Sequence, residues 1–103
     1  MFDHEVVWRV RGDNPMTGEY RGRRDVAEFL RRTTQETDGT YRSELQWCVA
    51  DDERGVALYR ATGTRAGREC DVEIALLCEF REGRIADATA VPVDAKAFDA
   101  FWS

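Results

Sequence analysis

The chain has 103 residues, a formal net charge of −5 at pH 7, 43% hydrophobic residues and 34% charged residues. This length permits one modest hydrophobic core and the composition is typical of a globular protein, so we expect a single domain over residues 1–103. The negative charge disfavours nonspecific nucleic-acid binding, which needs a concentrated basic face, and no apolar run is long enough to span a bilayer.

The N-terminal part of the chain predicts a strand, a loop and one amphipathic helix. Residues 6–10 are rich in β-branched and aromatic side chains and precede a cluster of turn-forming residues, so we expect a short strand and then a loop to about Gly22. The apolar side chains that then recur at helical spacing are Val26, Phe29, Leu30 and Thr33. They indicate a helix over residues 23–37, and Asp38-Gly39 supplies a stop because glycine tolerates the left-handed cap.

From Thr40 the apolar period changes to two, which indicates strands. The side chains assigned to one half-buried face of the first of these strands are Tyr41, Ser43, Leu45, Trp47 and Val49. Further strands are expected over residues 56–64, 69–81 and 85–93. Because tight turns join them, antiparallel pairing is the simplest arrangement.

The last two predicted elements each have a clear apolar face. In the strand over residues 69–81, the side chains expected to face the interior are Val72, Ile74, Leu76, Cys78 and Phe80. After Asp94, aromatic residues at i, i+3 and i+4 spacing follow, namely Phe98, Phe101 and Trp102. We therefore expect a short terminal helix that docks these aromatic side chains.

Six short stretches, spread over nearly the whole chain, match the pattern of one family. They are residues 6–8 (Val-Val-Trp), 14–23 (Asn-Pro-Met-Thr-Gly-Glu-Tyr-Arg-Gly-Arg), 29–32 (Phe-Leu-Arg-Arg), 50–54 (Ala-Asp-Asp-Glu-Arg), 80–86 (Phe-Arg-Glu-Gly-Arg-Ile-Ala) and 98–102 (Phe-Asp-Ala-Phe-Trp). Here the chain resembles SnoaL-like domains of the nuclear-transport-factor-2-like superfamily. The resemblance implies an α+β cone: a curved antiparallel sheet wrapped around a helix, with a mostly apolar pocket inside and frequent homodimerisation through the outer sheet face.

The start of the chain departs from the family pattern. Family members usually begin with one or two further helices that close the mouth of the cone, whereas Met1 here lies immediately before the first predicted strand. A core face left uncovered would expose an apolar patch on the order of several hundred Å², which soluble monomers rarely tolerate. We expect a subunit partner, a separate chain or the C-terminal segment to cover it.

The interior positions of the last strands depart from the family pattern as well. SnoaL-like cyclases and their isomerase relatives carry a histidine or carboxylate there, poised to move a proton in an apolar cavity. The resemblance places Leu76 where many relatives have histidine, and the final strand offers Thr89 and Val91. The expected acid–base residues are therefore absent, and no catalytic residue is assigned.

The residues that a metal or thiol site would need are also scarce. His4 is the only histidine, the cysteines (Cys48, Cys70 and Cys78) lack CxxC spacing, and the glycines form no phosphate-binding pattern, so we expect neither a metal nor a cofactor. Asp71 and Glu73 share a strand face and suit a general base, but because the opposite face is apolar they more simply face solvent or a dimer contact.

Seven residues are candidate ligand contacts: Trp8, Tyr20, Trp47, Arg60, Leu76, Thr89 and Val91. Trp8 and Trp47 suit either the aromatic wall of a pocket or core packing. Tyr20 either covers the cavity mouth or anchors its loop. An inward Arg60 would need a carboxylate partner or an anionic ligand; the alternative is a solvated strand end.

Two functions remain open. One is a cyclase, isomerase or hydrolase acting on a hydrophobic polyketide-like or terpenoid-like molecule. The other is a noncatalytic ligand-binding or dimerisation module that assists a partner enzyme. The start of the chain lacks the basic and then apolar order of a secretory signal, so in either case we expect a cytoplasmic protein.

Overall fold

A computed structural model describes residues 2–103 of the chain; Met1, placed by the sequence directly before the first strand, lies outside the described residues. The elements in chain order are β1 (Phe2–Val10), β2 (Gly18–Arg21), α1 (Gly22–Glu36), β3 (Arg42–Ala50), β4 (Arg54–Arg65), β5 (Arg68–Arg81), β6 (Arg84–Pro92) and α2 (Ala95–Trp102). The strands form one six-stranded sheet in the order β2-β1-β6-β5-β4-β3. No helix within residues 2–103 has both the length and the apolarity to cross a membrane.

The sheet is mixed, whereas the sequence predicted antiparallel pairing throughout. The β3 to β6 meander is antiparallel as expected, but β1 pairs parallel to β6, with Trp8 opposite Ala88 and Val10 opposite Ala90. β2, which lies inside the predicted loop, pairs antiparallel with the outer edge of β1. Its four residues are mostly exposed, so they carry no apolar alternation from which a strand could be predicted.

The core lies on the concave face of the sheet. The predicted inner face of β5 is confirmed, since Val72, Ile74 and Cys78 are buried there. Side chains from both helices complete this core, and those that are buried are Val26, Phe29 and Thr33 of α1 and Phe98, Phe101 and Trp102 of α2. A curved sheet around a helix, with a short C-terminal helix that docks its aromatic residues, is therefore confirmed.

A β-bulge in β3 overturns one prediction. Leu45 lies opposite Tyr59, but Trp47 lies opposite Leu58, so Gln46 is an extra residue without a partner. An extra residue reverses the alternation of every residue that follows it. Trp47 and Val49 therefore lie on the convex face, 50% and 69% exposed, and not on the inner face with Leu45.

The loop over residues 11–17 is fastened to α2. Asp99 Oδ1 accepts hydrogen bonds from the backbone N–H of Asp13 (2.8 Å) and from Asn14 Nδ2 (2.7 Å). Asn14 Oδ1 in turn accepts from the backbone N–H of Met16 at 2.8 Å. Met16 is 2% exposed, so this chain of hydrogen bonds holds a loop side chain within the core.

Candidate ligand-binding cavity

A cavity of about 400 Å³ lies between the concave face of the sheet and the two helices. Large aromatic side chains form its sides: Trp8 from β1, Phe29 from α1, and Phe98 and Trp102 from α2. The rings of Trp8 and Phe29 are in contact, with centroids 6.5 Å apart. The C-terminal helix, one of the three covers expected from the sequence, thus closes one side of this space.

Two alanines and one leucine form the floor of the cavity. Ala90 of β6, Leu76 of β5 and Ala57 of β4 lie opposite one another across adjacent strands, so they share the concave face. All three line the cavity. Because two of them end at Cβ, the sheet leaves space at this point that larger side chains would fill.

The mouth of the cavity lies between α1 and β3. Leu30 of α1 and Leu45 of β3 both line the cavity, yet they are 39% and 60% exposed. Ser43 lies beside Leu45 on the same face of β3 and also lines the cavity. The rim is therefore apolar and open to solvent in the described part of the chain, which is the environment that an apolar ligand requires for entry.

Two tyrosines carry the main polar groups of the wall. Tyr59, in β4, lies next to Ala57 on the concave face, and Tyr41 lies just before β3. Burial raises the pKa of Tyr59 to about 12. Burial also raises the pKa of Tyr41, with smaller contributions from Tyr59 and Cys70. Both hydroxyls are therefore protonated at neutral pH.

The rest of the wall has few polar groups. Among the residues described here, Trp8 Nε1 is the one fully buried side-chain nitrogen or oxygen without a hydrogen-bond partner. The hydroxyl of Thr33 donates to the backbone oxygen of Leu30 at 2.6 Å, so its proton is already used. The cavity-lining residues in the described part of the chain include no Asp, Glu, Lys, Arg or His.

Comparison with known proteins identifies the family. A family model described as a SnoaL-like domain matches residues 1–88. The chain belongs to the SnoaL-like domain family. A relative, an uncharacterised protein of Mycobacterium tuberculosis, is 30% identical over 103 residues, which is 99% of this chain and 79% of that protein.

Solved structures with the same fold agree with this assignment. Bal32a, from a soil-derived mobile gene cassette, is 31% identical with a TM-score of 0.94, over 99% of this chain and 79% of that one. TerC, co-crystallised with polyporic acid, is 16% identical with a TM-score of 0.81, over 97% of this chain and 78% of that one. The likeness to TerC shows the fold alone. Together these findings confirm the resemblance stated from the sequence.

Two of the seven predicted ligand contacts line the cavity of this SnoaL-like domain. Trp8 forms part of its aromatic side and Leu76 lies at the centre of its floor. Leu76 is the residue that the sequence placed where many relatives carry histidine. The inward orientation predicted for both side chains is confirmed, while contact with a ligand stays a prediction.

Tyr20 lies outside this cavity and anchors its own loop. Its hydroxyl donates to the backbone oxygen of Met16 at 2.7 Å. Its ring packs on Phe29, with centroids 4.4 Å apart. Tyr20 thus holds Met16 and Phe29, which line the cavity, from the side away from it. This agrees with the second role considered from the sequence, that Tyr20 anchors its loop.

The inward orientation expected for Trp47, Thr89 and Val91, and considered for Arg60, is wrong, because each side chain lies on the convex face. Trp47 follows the bulge in β3, and in β6 it is Ala88 and Ala90 that face inward, so Thr89 and Val91 face outward. In β4 the interior side chains are those of Ala57, Tyr59 and Ala61, which puts Arg60 on the outer face. Alternation was assigned correctly within β4 and β6, but the two faces were interchanged.

Arg60 is solvated on the outer face of β4, and there it pairs with a carboxylate. Its Nε and Nη2 donate to the two carboxylate oxygens of Asp71 at 2.7 Å and 2.6 Å. The pair is more than half exposed, and it lowers the pKa of Asp71. Asp71 is thus held ionised on the outer face, and a general base shared with Glu73 has no support in the geometry.

Sequence reasoning assigned no role to Tyr41 and Tyr59. Tyr41 was placed on the inner face, which is correct, but it was not singled out as a polar group there. Tyr59 was missed because the sequence was analysed with Arg60 as the inward candidate, and alternation then turns its neighbour Tyr59 outward. The alternation of Ala57, Tyr59 and Ala61 would have indicated that Tyr59 faces inward. Small side chains on either side of a tyrosine leave room for its ring on a crowded inner face.

Proposed function

We propose that this SnoaL-like protein binds a small, mostly apolar molecule in the cavity between the sheet and its helices. One observation carries the proposal: a cavity of about 400 Å³ with aromatic sides and an apolar, open rim. This volume lies within the range of small-molecule sites, and a few polar groups on an apolar wall are typical of them. The co-crystallisation of TerC with polyporic acid supports the proposal, since TerC has the same fold.

A catalytic role as a cyclase, isomerase or hydrolase of secondary metabolism is one version of this proposal. The family resemblance supports it. The cavity wall supports the alternative, a noncatalytic binding module, because no histidine or carboxylate among the described residues lines it and its two tyrosines keep their protons at neutral pH. Binding is common to both versions, so we propose binding as the function and assign no catalytic residue.

The test is to fill the cavity and measure ligand binding. Ala57→Phe adds a ring to the cavity floor, whereas Ala75→Phe adds the same ring on the opposite face of the neighbouring strand. A panel of hydrophobic metabolites is screened by thermal unfolding, since a ligand of the native state raises the unfolding temperature. We expect ligands that stabilise the wild-type and Ala75→Phe proteins to have no effect on Ala57→Phe.

Two results would contradict the proposal. One is an equal response of a folded Ala57→Phe protein and the wild type, which would place the ligand elsewhere. The other is the absence of any stabilising compound in the panel. A Trp8→Phe variant tests the same site a second time by thermal unfolding. The substitution keeps an aromatic ring in the cavity wall but changes the shape of the wall, so the response to ligands should change.

We further propose that two copies pair through the convex face of the sheet. The apolar side chains exposed there are Trp47, Val49, Val56 and Leu77. Register partners bring Val49, Val56 and Leu77 into one row across β3, β4 and β5, with Trp47 in the next row. Such a contiguous apolar patch favours contact with another protein surface, and the family resemblance implies a homodimer.

The cytoplasmic location expected from the sequence is also a proposal. Its support is the state of the three cysteines: Cys48 is exposed, Cys70 and Cys78 are buried, and all three are free. Free thiols persist in reducing compartments, whereas oxidising ones favour disulfides. Fractionation of the source cells, with detection of the untagged protein, tests this location.

A further inference from the structure

The cavity wall presents hydrogen-bond donors that have no acceptor in the protein. The indole N–H of Trp8 is buried without a partner. Neither the Tyr41 hydroxyl nor the Tyr59 hydroxyl is bonded to another residue in the described part of the chain, and neither oxygen is among its fully enclosed unpaired atoms. The two hydroxyls are thus unpaired within the described residues and not fully enclosed, so they are free to donate to a ligand or to water.

The same wall has no charge that would balance a charged ligand. Within residues 2–103, none of the residues that line the cavity is acidic or basic. Moving a carboxylate or an ammonium group from water into such an environment without a counter-ion is very costly. An uncharged ligand avoids this cost, and its apolar rings gain by leaving water against Trp8, Phe29 and Phe98.

The two tyrosines remain donors over the whole physiological range. Burial is the largest cause of the raised pKa of each, and it brings the pKa of Tyr59 to about 12. A protonated phenol can both donate and accept, but its proton must go to an acceptor if its full hydrogen-bonding capacity is to be used. A carbonyl oxygen is such an acceptor, and its two lone pairs allow it to accept more than one hydrogen bond.

The backbone holds Tyr41 in position for this role. Its N–H donates to the hydroxyl of Thr37 at 3.2 Å, and its ring packs on Trp102 with centroids 5.5 Å apart. Gly63, on the neighbouring strand β4, allows the close approach, because a Cβ there would lie 3.2 Å from the Cα of Tyr41. The orientation of this donor is therefore set before any ligand arrives, which lowers the entropy cost of binding.

We infer that Tyr41 and Tyr59 are specificity-determining residues, and that the cavity takes an uncharged, ring-containing molecule whose carbonyl oxygen accepts hydrogen bonds from their hydroxyls. This inference rests on the proposed function and narrows it to a ligand class. It assigns no covalent step to either tyrosine. The cavity prefers a carbonyl compound to the same ring without the carbonyl, because the second ligand leaves the two tyrosine hydroxyls without an acceptor.

The test uses three ring compounds of similar size: tetralin, 1-tetralone and tetralin-1-carboxylate. Their dissociation constants are measured at pH 7 by calorimetry. We expect 1-tetralone to bind about tenfold more tightly than tetralin, since two hydrogen bonds to one oxygen contribute a factor of this order. The carboxylate is expected to bind more weakly than tetralin.

Tyrosine variants then locate the effect. Tyr41→Phe and Tyr59→Phe each remove one donor, and we expect each to reduce the preference for 1-tetralone to about threefold, because 1-tetralone loses a hydrogen bond and tetralin no longer leaves that donor without a partner. Thr62→Val is the control, because it removes a hydroxyl from the outer face of β4, where the side chain does not line the cavity. Thermal unfolding confirms that each variant is folded.

The outcomes separate this inference from the proposed function. Equal affinity for tetralin and 1-tetralone, or a preference that survives both cavity variants, overturns the inference and leaves apolar binding in place. Tightest binding of the carboxylate also overturns it. If none of the three compounds binds while other apolar metabolites do, the carbonyl inference fails alone; if nothing binds at all, the proposed function fails with it.

Discussion

At the scale of single residues, one buried hydroxyl joins the end of α1 to a tyrosine of the cavity wall. Thr37 is 1% exposed. Its Oγ1 donates to the backbone oxygen of Thr33 at 2.8 Å and accepts from the backbone N–H of Tyr41 at 3.2 Å. The carbonyl groups in the last turn of a helix have no backbone N–H donors from a following turn. The Thr37 hydroxyl supplies a donor to one of them and also accepts from the Tyr41 N–H.

This contact predicts a specific loss of stability. Thr37→Val keeps the side-chain shape but removes the oxygen, so the Tyr41 N–H is left without its acceptor. We expect the free energy of unfolding, measured by urea denaturation, to fall by about 1–3 kcal/mol. Thr37→Ser retains the oxygen and should lose clearly less. Equal stability of the valine and serine variants would show that the hydroxyl contributes nothing.

At the scale of elements, the loop over residues 11–17 and α2 support each other across the end of the cavity. Asp94 begins α2 by accepting from the backbone N–H of Ala97 at 3.1 Å, which satisfies one of the free donors at the start of a helix. From the second turn, Asp99 reaches back to the loop. The aromatic face of α2 therefore packs on the core, and the Asp99 carboxylate on another face of the helix fixes its position against the loop.

Removal of that carboxylate should loosen the loop. In Asp99→Ala the donors of Asp13 and Asn14 lose their acceptor, so we expect a loss of about 1–3 kcal/mol in the free energy of unfolding. Faster hydrogen exchange at the Met16 amide should accompany it, because Asn14 holds that amide in place. Lys96→Ala, an exposed change on the same helix, is the control. Unchanged exchange at Met16 would separate Asp99 from the loop conformation.

The bulge in β3 is the other element that shapes the cavity. Without it Trp47 would follow Leu45 onto the concave face, where a large ring would crowd the mouth. With it, Trp47 lies outside and Cys48 takes the inner position opposite Ala57. One extra residue therefore keeps the mouth open and adds an aromatic side chain to the outer surface.

At the scale of the whole molecule, the curved sheet gives two apolar surfaces with different uses. Its concave side encloses the core and the proposed binding cavity. Its convex side exposes Leu77 by 45% and Val56 by 37%, next to the two β3 residues that the bulge turned outward. Because an open apolar patch is costly in water, the second surface is the one that we propose pairs with another copy.

Charge placed on this outer patch should weaken the proposed dimer. We expect Trp47→Glu to raise the dimer dissociation constant at least about tenfold, since aromatic residues often dominate interface energetics. Val93→Glu puts the same charge at a 65% exposed valine outside the patch, and should have no such effect. Sedimentation equilibrium measures both. A wild-type protein that is monomeric throughout, or equal effects of the two variants, would contradict the proposed interface.

The sequence alone determined most of the elements and their order, the inner face of β5, the docking of the C-terminal aromatic residues and the family. These features depend on local periodicity and on residue patterns that a single chain displays directly. The sequence also placed Trp8 and Leu76 correctly, because apolar residues occupy every second position of their strands and so define one apolar face.

Only the tertiary structure decided which faces of β4 and β6 are interior, where β3 changes face, and that β1 pairs parallel to β6. Alternation divides a strand into two faces, but when both carry apolar residues it does not say which one meets the helix. A bulge has no clear periodicity of its own, and it reverses every residue after it. The tyrosine pair of the cavity depended on the face of β4, which sets the direction of Tyr59, so the pair became visible only when the strands were placed side by side.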